Sequence, residues 1–321
     1  MKYTAQPTKH FSHMAGKLSQ CFSARLTLLA TSVAALSLSS QVHADVTYNG
    51  FASTAGLTVN GSAAVASTSD GFVLRLTPAT VSVGGSFFST ARVSTVQFLS
   101  VFSFRITNPG GSIFDNNTES GADGIVFVVQ NQANNVGSLG QGIGYEGITP
   151  SIGVEFDTWG NSGNNDPSQS HVGINRNGSV NHAAAGQSPT VNIGTTNAAQ
   201  TAMPGPELDD GDRWWSWVIN NGANLKVYLA RNPSITEPAR PALPILSYDI
   251  NLTSVLGNST AYAGFTSATG AAWANHDILY WRYTESVPEP SSLCLLAAAV
   301  TPFVMRRPLR KKVSDLDKTD K

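Results

Sequence analysis

Short segments in which apolar and polar residues alternate recur along the middle of the chain, from Val46 to about residue 284. They are rich in Val, Thr, Phe and Ser and are bounded by Gly and Asn, which is typical of strands joined by turns. They occupy residues 71–77, 85–93, 98–106, 123–131, 151–159, 171–175, 213–220, 224–230, 245–252, 261–268 and 277–283. No stretch between them has the period of an amphipathic helix. About a dozen such strands predict an all-β fold, a two-sheet antiparallel β-sandwich formed by a single domain of about 240 residues.

Two stretches interrupt the strand pattern. Residues 183–212 are rich in Gly, Thr, Asn and Pro and are expected to form long loops with one strand at TVNIG, residues 190–194. Residues 231–244 read RNPSITEPARPALP and hold four prolines. Because strand signals resume after them, residues 231–244 are predicted to be a surface excursion of the same domain rather than a linker.

Composition and charge narrow the class of partner. The chain is 41% hydrophobic and only 13% charged, which is too apolar for a disordered protein. Residues 45–286 contain 17 Asp and Glu but only 9 Lys and Arg. An acidic body does not suit a phosphate backbone, so nucleic acid is disfavoured as a partner and cations are favoured.

The start of the chain has the layout of a secretory signal. Lys17 and Arg25 precede the apolar run LTLLATSVAALSLS, which is followed by QVHA. Residues 1–44 are therefore predicted to be a signal peptide cleaved after Ala44, with initiation at either Met1 or Met14. A membrane anchor is the alternative, but the apolar run is short for a membrane span.

The end of the chain joins a Pro-Glu-Pro triplet at 288–290, an apolar run at 293–305 and an Arg/Lys cluster. This order resembles the PEP-CTERM sorting signal of Gram-negative bacteria, and the resemblance implies an exosortase as partner. An ordinary tail anchor is the alternative, and in both cases the basic cluster stays cytoplasmic while the body is exported to the cell surface or beyond. The expected division is a domain at 45–285, a sorting signal at 286–312 and a charged tail at 313–321.

Cysteine usage limits the chemistry of the exported body. The two cysteines, Cys21 and Cys294, lie in the predicted signal peptide and sorting signal. The body between them therefore has no disulfide, no cysteine nucleophile and no thiolate metal site.

Carboxylates concentrate at one strand, SIGVEFDT. If residues 151–158 are extended, Ile152, Val154 and Phe156 share one face, and Glu155 and Asp157 share the other. The apolar set suits a core. Two carboxylates on one face repel each other unless a cation lies between them, so this strand predicts a metal site.

The residues after this strand supply further metal ligands. Residues 159–167 read WGNSGNNDP and have the composition of a loop that folds back, which would bring Asp166 toward Asp157. His171 then opens another strand that could lie alongside the first. Carboxylate, amide and carbonyl oxygens suit Ca²⁺, whereas carboxylates with one imidazole suit Mn²⁺ or a similar ion.

The spacing E-x-D-x-(aromatic)-x-N-x4-D-P-x3-H over residues 155–171 resembles the metal loop of the L-type, or legume, lectin family. GADGIVFVVQN and GFTSATGAAWANHDILYW resemble two other segments of that family, so the resemblance covers nearly all of residues 46–284. It implies a concanavalin-like jelly roll that binds carbohydrate with Ca²⁺ and a transition metal. The implied transition-metal ligands are Glu155, Asp157, Asp166 and His171, and the implied calcium ligands are Asp157, Asp166, Asn161 and the Trp159 carbonyl.

The same resemblance implies a sugar site. Asp123, after a cis Ala122–Asp123 peptide bond, would accept hydrogen bonds from two sugar hydroxyls. Asn161 would serve both calcium and sugar, and the Trp159 ring would lie under the apolar face of a pyranose. The backbone N–H of Gly140 or Gly142 would be a further donor.

The loop that sets sugar specificity in plant members corresponds to Ala271 and Ala272. Here the sequence departs from the family, because the loop is short and carries no charged residue. The family resemblance therefore does not define which sugar is bound. His182 and His276 match no part of the motif and are expected to be ordinary surface or strand residues.

The predicted function is an exported calcium-dependent lectin, associated with the cell surface or with exopolysaccharide, and not an enzyme. One alternative is a structural matrix protein that keeps the fold and binds no sugar. A glycoside hydrolase is the other, because laminarinase-like enzymes have a related sandwich with an E-x-D-x-x-E strand. It is less favoured because Gly160 stands where the second Glu of that strand would be.

Overall fold

The structure, a computed structural model, describes residues 45–114, 121–137, 140–167, 170–184, 190–193, 202–203 and 207–285. The predicted signal peptide, sorting signal and charged tail lie outside these residues. The described ranges contain the strands β1 (Val46–Asn49), β2 (Leu57–Gly61), β3 (Ala64–Thr68), β4 (Gly71–Thr77), β5 (Gly84–Ser89), β6 (Val93–Ser94), β7 (Phe98–Gly111), β8 (Gly124–Gln130), β9 (Ser151–Asp157), β10 (His171–Arg176), β11 (Val191–Ile193), β12 (Ala202–Met203), β13 (Trp214–Asn220), β14 (Asn224–Arg231), β15 (Leu246–Asp249), β16 (Thr260–Ala268) and β17 (Ala272–Thr284).

Helical structure is sparse in the described residues. It consists of α1 (Leu252–Leu256) and two single-turn 3-10 helices at Gly140–Gly142 and Ser162–Asn164. Asn251 caps α1 by accepting a hydrogen bond from the Ser254 N–H, and Gly257 ends it in a left-handed conformation. None of the helices in the described part of the chain is long and apolar enough to cross a membrane.

The strands form two sheets. An eight-stranded sheet has the order β15-β14-β13-β7-β17-β4-β3, with β1 paired to β17, and a nine-stranded sheet has the order β12-β11-β10-β9-β8-β16-β5-β2, with β6 paired to β16. Neighbours pair antiparallel except β11 and β12, which are parallel. The all-β antiparallel sandwich predicted from the sequence is confirmed.

Aromatic side chains fill the space between the sheets. Phe102 of the eight-stranded sheet meets Phe156 and Phe265 of the nine-stranded sheet edge-on, with ring centroids 5.6 and 4.9 Å apart. All three rings are fully buried. Burial of one such side chain contributes about 1.5–3 kcal/mol, so this core can hold the sandwich together without a disulfide.

The outer face of the eight-stranded sheet is covered in part by the proline-rich residues 231–244. Trp215 Nε1 donates to the Ser234 carbonyl at 3.1 Å, and Arg282 forms an ion pair with Glu237 at 2.9 Å. Arg240 lies over the ring of Tyr228, 4.4 Å from its centroid. The structure therefore confirms that this segment is an excursion on the domain surface, and β15 follows it.

Most of the predicted strands lie where the alternation indicates, but three parts differ. β1, β2, β3 and β12 were not predicted, because strands of two to five residues are too short to show a clear alternation, and β3 lies at a largely exposed sheet edge. The segment 85–93 is two strands, β5 and β6. The segment 245–252 ends in α1, whose capping residue Asn251 stops the strand.

His276 of β17 lies inside the fold, as expected for a strand residue. Its side chain is completely buried and its Nδ1 atom is 2.6 Å from the Thr77 hydroxyl. Burial, with the nearby Arg75 charge, lowers the pKa of His276 to about 3. The folded protein therefore holds this imidazole neutral in mildly acidic solution.

Between about pH 6.5 and pH 3 the unfolded chain binds a proton at His276 that the folded chain does not, so the free energy of unfolding falls as the pH falls through this window. We expect His276→Gln to reduce the slope by about 1.4 kcal/mol per pH unit between pH 6 and pH 4. Urea unfolding in EDTA at several pH values measures this. Equal slopes for the two proteins would contradict the assignment.

Candidate functional site

The carboxylates of β9 lie on the outer face of the nine-stranded sheet, opposite the core. β9 pairs with β8 on one side and β10 on the other, and His171 lies opposite Asp157 while Gly173 lies opposite Glu155. Ile152, Val154 and Phe156 belong to the core between the sheets. The predicted division of this strand into an apolar face and a carboxylate face is thus confirmed.

Two histidines meet Glu155 on this outer face. Glu155 Oε1 lies 2.8 Å from His182 Nε2 and 3.4 Å from His171 Nε2, and the two histidine Nε2 atoms are 3.1 Å apart. The other oxygen of Glu155 accepts a short hydrogen bond from the Asn175 amide. His182 therefore lies in the carboxylate cluster, and the expectation that it is an ordinary residue is wrong.

The loop after β9 folds back as predicted and brings Asp166 into the same cluster. Asp157 Oδ1 accepts from the Trp159 N–H at 2.6 Å, and Asp166 Oδ2 accepts from the Asn161 N–H at 2.6 Å. Ligand atoms of Asp157, Asp166 and His171 all lie within 4.8 Å of one another. β9, the loop after it and the first residue of β10 thus carry the six residues of the predicted metal set within one segment, residues 155–171.

The electrostatics of the cluster are those of buried negative charge. Burial raises the pKa of Asp157 well above its usual value, and the carboxylates of Glu155 and Asp166 raise it further. Burial also acts to raise the pKa of Glu155, but the neighbouring His171 and His182 outweigh it and lower that pKa to about 2. The cluster therefore lacks positive charge at Asp157, which a divalent cation would supply.

The space between the side chains also fits an ion. A Cβ atom on Gly173 would lie 2.5 Å from Glu155 Oε1 and 2.9 Å from His182 Cε1, so only glycine at this position leaves room for the cluster. Glu155 Oε1 is buried and faces both histidine Nε2 atoms. The donor set of three carboxylates and two imidazoles suits a divalent transition metal, and the Trp159–Asp166 loop offers further oxygens for calcium.

Asp123 lies next to this cluster at the end of β8. The Ala122–Asp123 peptide bond is cis, as the family resemblance implied. The Asp123 N–H donates to the Ala268 carbonyl at 3.0 Å, and its carbonyl accepts from the Thr158 N–H at 3.1 Å, which ties it to both neighbouring strand ends. Burial raises the pKa of Asp123 to about 7, and its Oδ2 atom makes no hydrogen bond to the described protein.

The remaining predicted sugar residues are placed around the same end of the sheet. Trp159 and Asn161 are half-buried in the loop after β9, and the Nδ2 atom of Asn161 is buried without a protein acceptor in the described residues. Gly140 and Gly142 are the first and last residues of a 3-10 turn that continues into Ile143. The Ile143 carbonyl accepts a hydrogen bond from the Thr266 hydroxyl of β16 at 2.8 Å.

The loop that the family resemblance placed at Ala271 and Ala272 is shorter than the resemblance implied. Ala271 is exposed, and its carbonyl accepts from the Ser112 N–H. Ala272 is the first residue of β17, is buried and pairs with Gly111, so its side chain does not face a ligand in a loop. A Cβ on Gly270 would lie 3.9 Å from Asp123 Oδ2, so Gly270 is a neighbour of the carboxylate.

Comparison with known proteins identifies relatives of this domain. A family model described as Legume lectin domain matches residues 43–293. The chain is 30% identical over 221 residues to the L-type lectin-domain containing receptor kinase VIII.1 of Arabidopsis thaliana, which covers 67% of this chain and 26% of the kinase. It is 25% identical over 231 residues to lectin DB58 of Vigna unguiculata subsp. cylindrica, covering 67% and 72%. The chain thus spans about a quarter of the receptor kinase, in its lectin domain.

Solved structures share the fold. The structure of basic winged bean lectin with Tn-antigen has a TM-score of 0.57 at 24% identity and covers 76% of this chain and 98% of that chain. The exoplasmic/lumenal domain of VIP36, in a form bound to Ca²⁺ and Man3GlcNAc, has a TM-score of 0.50 at 16% identity and covers 74% and 89%. At these identities the likeness shows a common architecture.

Divalent cations should stabilise the folded chain, because they relieve repulsion among buried carboxylates. A cation at about 100 times its dissociation constant adds about 2.7 kcal/mol to the free energy of unfolding. We expect thermal unfolding to shift upward when Mn²⁺ and Ca²⁺ replace EDTA, and Asp157→Asn to lose most of that shift. The control is Asp249→Asn, an exposed carboxylate on β15, which should keep the full shift. Equal shifts in all three proteins would show that the cluster binds no ion.

Proposed function

We propose that this chain, which belongs to the legume lectin family, is an exported carbohydrate-binding protein whose sugar site depends on calcium and a transition metal. The observation that carries the proposal is the buried Asp123 carboxylate. Its Oδ2 atom makes no hydrogen bond to the described protein, and its backbone is bonded to Thr158 at the start of the metal loop. A buried carboxylate oxygen without a partner is costly unless a ligand satisfies it.

The metal cluster would hold the residues of this sugar site in position. Glu155, Asp157, Asp166 and His171 would hold the transition metal, and Asp157, Asp166, Asn161 and the Trp159 carbonyl would hold calcium. The ions, when bound, supply the positive charge that keeps the adjoining carboxylates ionised. The protein's own contribution is to fix Asp123 beside Asp157 and to fix the backbone of Asn161, whose N–H donates to Asp166 Oδ2.

A sugar suits the groups that surround Asp123. Ionised Asp123 would accept hydrogen bonds from two hydroxyls, and Asn161 Nδ2, which has no acceptor among the described residues, would be a donor. The half-buried indole of Trp159 offers an apolar face for the ring carbons of a pyranose. The turn containing Gly140 and Gly142 would contribute a backbone N–H. Polar groups of this kind around one aromatic face are what a sugar requires.

Glycoside hydrolysis is disfavoured by the use that the cluster makes of its carboxylates. Glu155 and Asp157 converge on histidines and on Asp166, so neither is free to act as nucleophile or acid on a substrate. The matching part of the receptor kinase is its lectin domain, and no kinase activity is implied for this chain. A matrix protein with the same fold and without sugar binding is the second candidate, because the specificity loop is short and uncharged.

Asp123→Ala should abolish glycan binding while leaving the fold and metal content unchanged. Each hydrogen bond to a charged group contributes about 1.5–3 kcal/mol, so the loss of two lowers affinity about 100-fold or more. The measurement is a glycan array probed with the full chain, with calcium and with EDTA, followed by titration of the best glycan.

The matched control is Asp249→Ala, which removes an exposed carboxylate away from the site. Binding by the wild type that disappears in EDTA and returns with calcium supports the lectin function. Equal affinity of Asp123→Ala and wild type would place the sugar elsewhere. A wild type that retains metal and binds no glycan would favour the matrix protein.

Export is proposed from the two ends of the chain. The signal peptide directs translocation, and the Pro-Glu-Pro triplet directs processing at the surface. We expect alanines at 288–290 to block processing and not export, so that the protein stays in the inner membrane through the apolar run at 293–305. Fractionation and immunoblotting in a Gram-negative host that has an exosortase check this. Release of wild-type-sized protein from the triplet variant would contradict the sorting role.

A further inference from the structure

His182 lies inside the metal cluster but outside the E-x-D…H spacing that predicted the cluster. It follows His171 by eleven residues and is 7% exposed. Its Nε2 atom is 2.8 Å from Glu155 Oε1, 3.1 Å from His171 Nε2 and 3.4 Å from Asp166 Oδ1. One nitrogen thus faces three of the atoms proposed to bind the transition metal.

These separations are those of neighbouring ligands on one ion. Bonds of about 2.0–2.2 Å from a metal to nitrogen or oxygen place two ligands at right angles about 3 Å apart, and two at a tetrahedral angle about 3.4 Å apart. The distances from His182 Nε2 to His171 Nε2 and Asp166 Oδ1 lie in that range, and the 2.8 Å to Glu155 Oε1 matches a right angle between bonds of about 2.0 Å. The rings of His171 and His182 are also nearly perpendicular, at 82°, with centroids 5.1 Å apart. Their nitrogens can therefore approach one ion from adjacent directions.

Hydrogen bonding alone does not account for this arrangement. An N–H on His182 Nε2 could serve Glu155 Oε1 at 2.8 Å, but His171 Nε2 at 3.1 Å and Asp166 Oδ1 at 3.4 Å face the same nitrogen, and a single N–H points at only one of the three. The Glu155 oxygen belongs to a side chain that is 1% exposed. A Cβ on Gly173 would lie 2.9 Å from His182 Cε1, so this glycine leaves room for the imidazole as well as for Glu155.

The backbone holds His182 at this position. Its N–H donates to the Asn164 carbonyl at 2.9 Å, so the turn that carries it is bonded to the metal loop itself. The Asn165 side chain adds a second link by donating to Asn181 Oδ1 at 2.8 Å. A residue fixed to the loop in this way needs little ordering when an ion binds.

We propose that His182 is a fifth protein ligand of the transition metal, in addition to Glu155, Asp157, Asp166 and His171. The inference rests on the metal site in the proposed function and specifies its chemistry. Imidazole is a better ligand for Zn²⁺, Co²⁺ and Ni²⁺ than for Mn²⁺, which prefers oxygen. The second imidazole therefore shifts the preference of the site toward Zn²⁺ and similar ions and away from Mn²⁺.

The test uses the purified full chain and His182→Gln. Co²⁺ bound to the wild type should give two strongly shifted imidazole N–H resonances in the proton spectrum, and the variant should give one. Competition with a chromophoric chelator should show Zn²⁺ binding weakened by about tenfold or more, with a smaller loss for Mn²⁺. His276→Gln, which removes an imidazole away from the cluster, should keep both resonances and the wild-type affinities.

The possible outcomes separate this inference from the function. A wild type that binds Co²⁺ through one imidazole, or a variant with an unchanged ratio of Zn²⁺ to Mn²⁺ affinity, would overturn the role of His182 and leave the lectin site intact. A wild type that binds no transition metal at all would overturn the metal site of the proposed function as well. The number of shifted imidazole resonances is measured on the wild type alone, so it tests the role of His182 even if the variant folds poorly.

Discussion

The structure around the site depends on one constraint, which is that several carboxylates are buried next to each other. Glu155, Asp157 and Asp166 converge beside two histidines, and burial together with the neighbouring carboxylates raises the pKa of Asp157. Strand pairing holds two of these carboxylates, and the folded-back loop holds the third. Such a cluster lowers the free energy of unfolding when no cation is bound and raises it when a cation is bound. The charge balance of the cluster therefore determines how well the loop and Asp123 are ordered.

Folding and binding are assigned to different faces of one sheet. The face of β9 that points inward packs Phe156 against aromatic rings of the other sheet, and the sandwich core needs no ion. The outward face carries the ligands. Under the proposed function the protein would lose its ions and keep its core. We therefore expect sugar binding to respond first to metal supply or to acid, because the ligands must be deprotonated to bind.

The sequence predicts the sandwich and most of the cluster because both follow from local rules. Alternation places Ile152 and Glu155 on opposite faces, and Gly, Asn and Pro indicate the loop. His182 could not be found this way, since its position depends on a backbone hydrogen bond to Asn164 from a loop without strand spacing. A weaker signal existed: of three histidines in the body, two lie within eleven residues of each other. The side-chain direction of Ala272 depends on where β17 begins, which apolar spacing fixes only to within a residue or two.

The alternation of β9 has a consequence for how such a protein can change over evolution. A shift of one residue in this strand would turn Glu155 and Asp157 into the aromatic core and Phe156 out to the ions, so a single insertion would destroy folding and binding together. The loops at 140–142 and 269–271 do not combine a role in the core with a role in holding the ions. Under the proposed function, new sugar preferences are therefore expected to arise by changes in loop length and composition, while the strand proposed to hold the ions stays fixed in register.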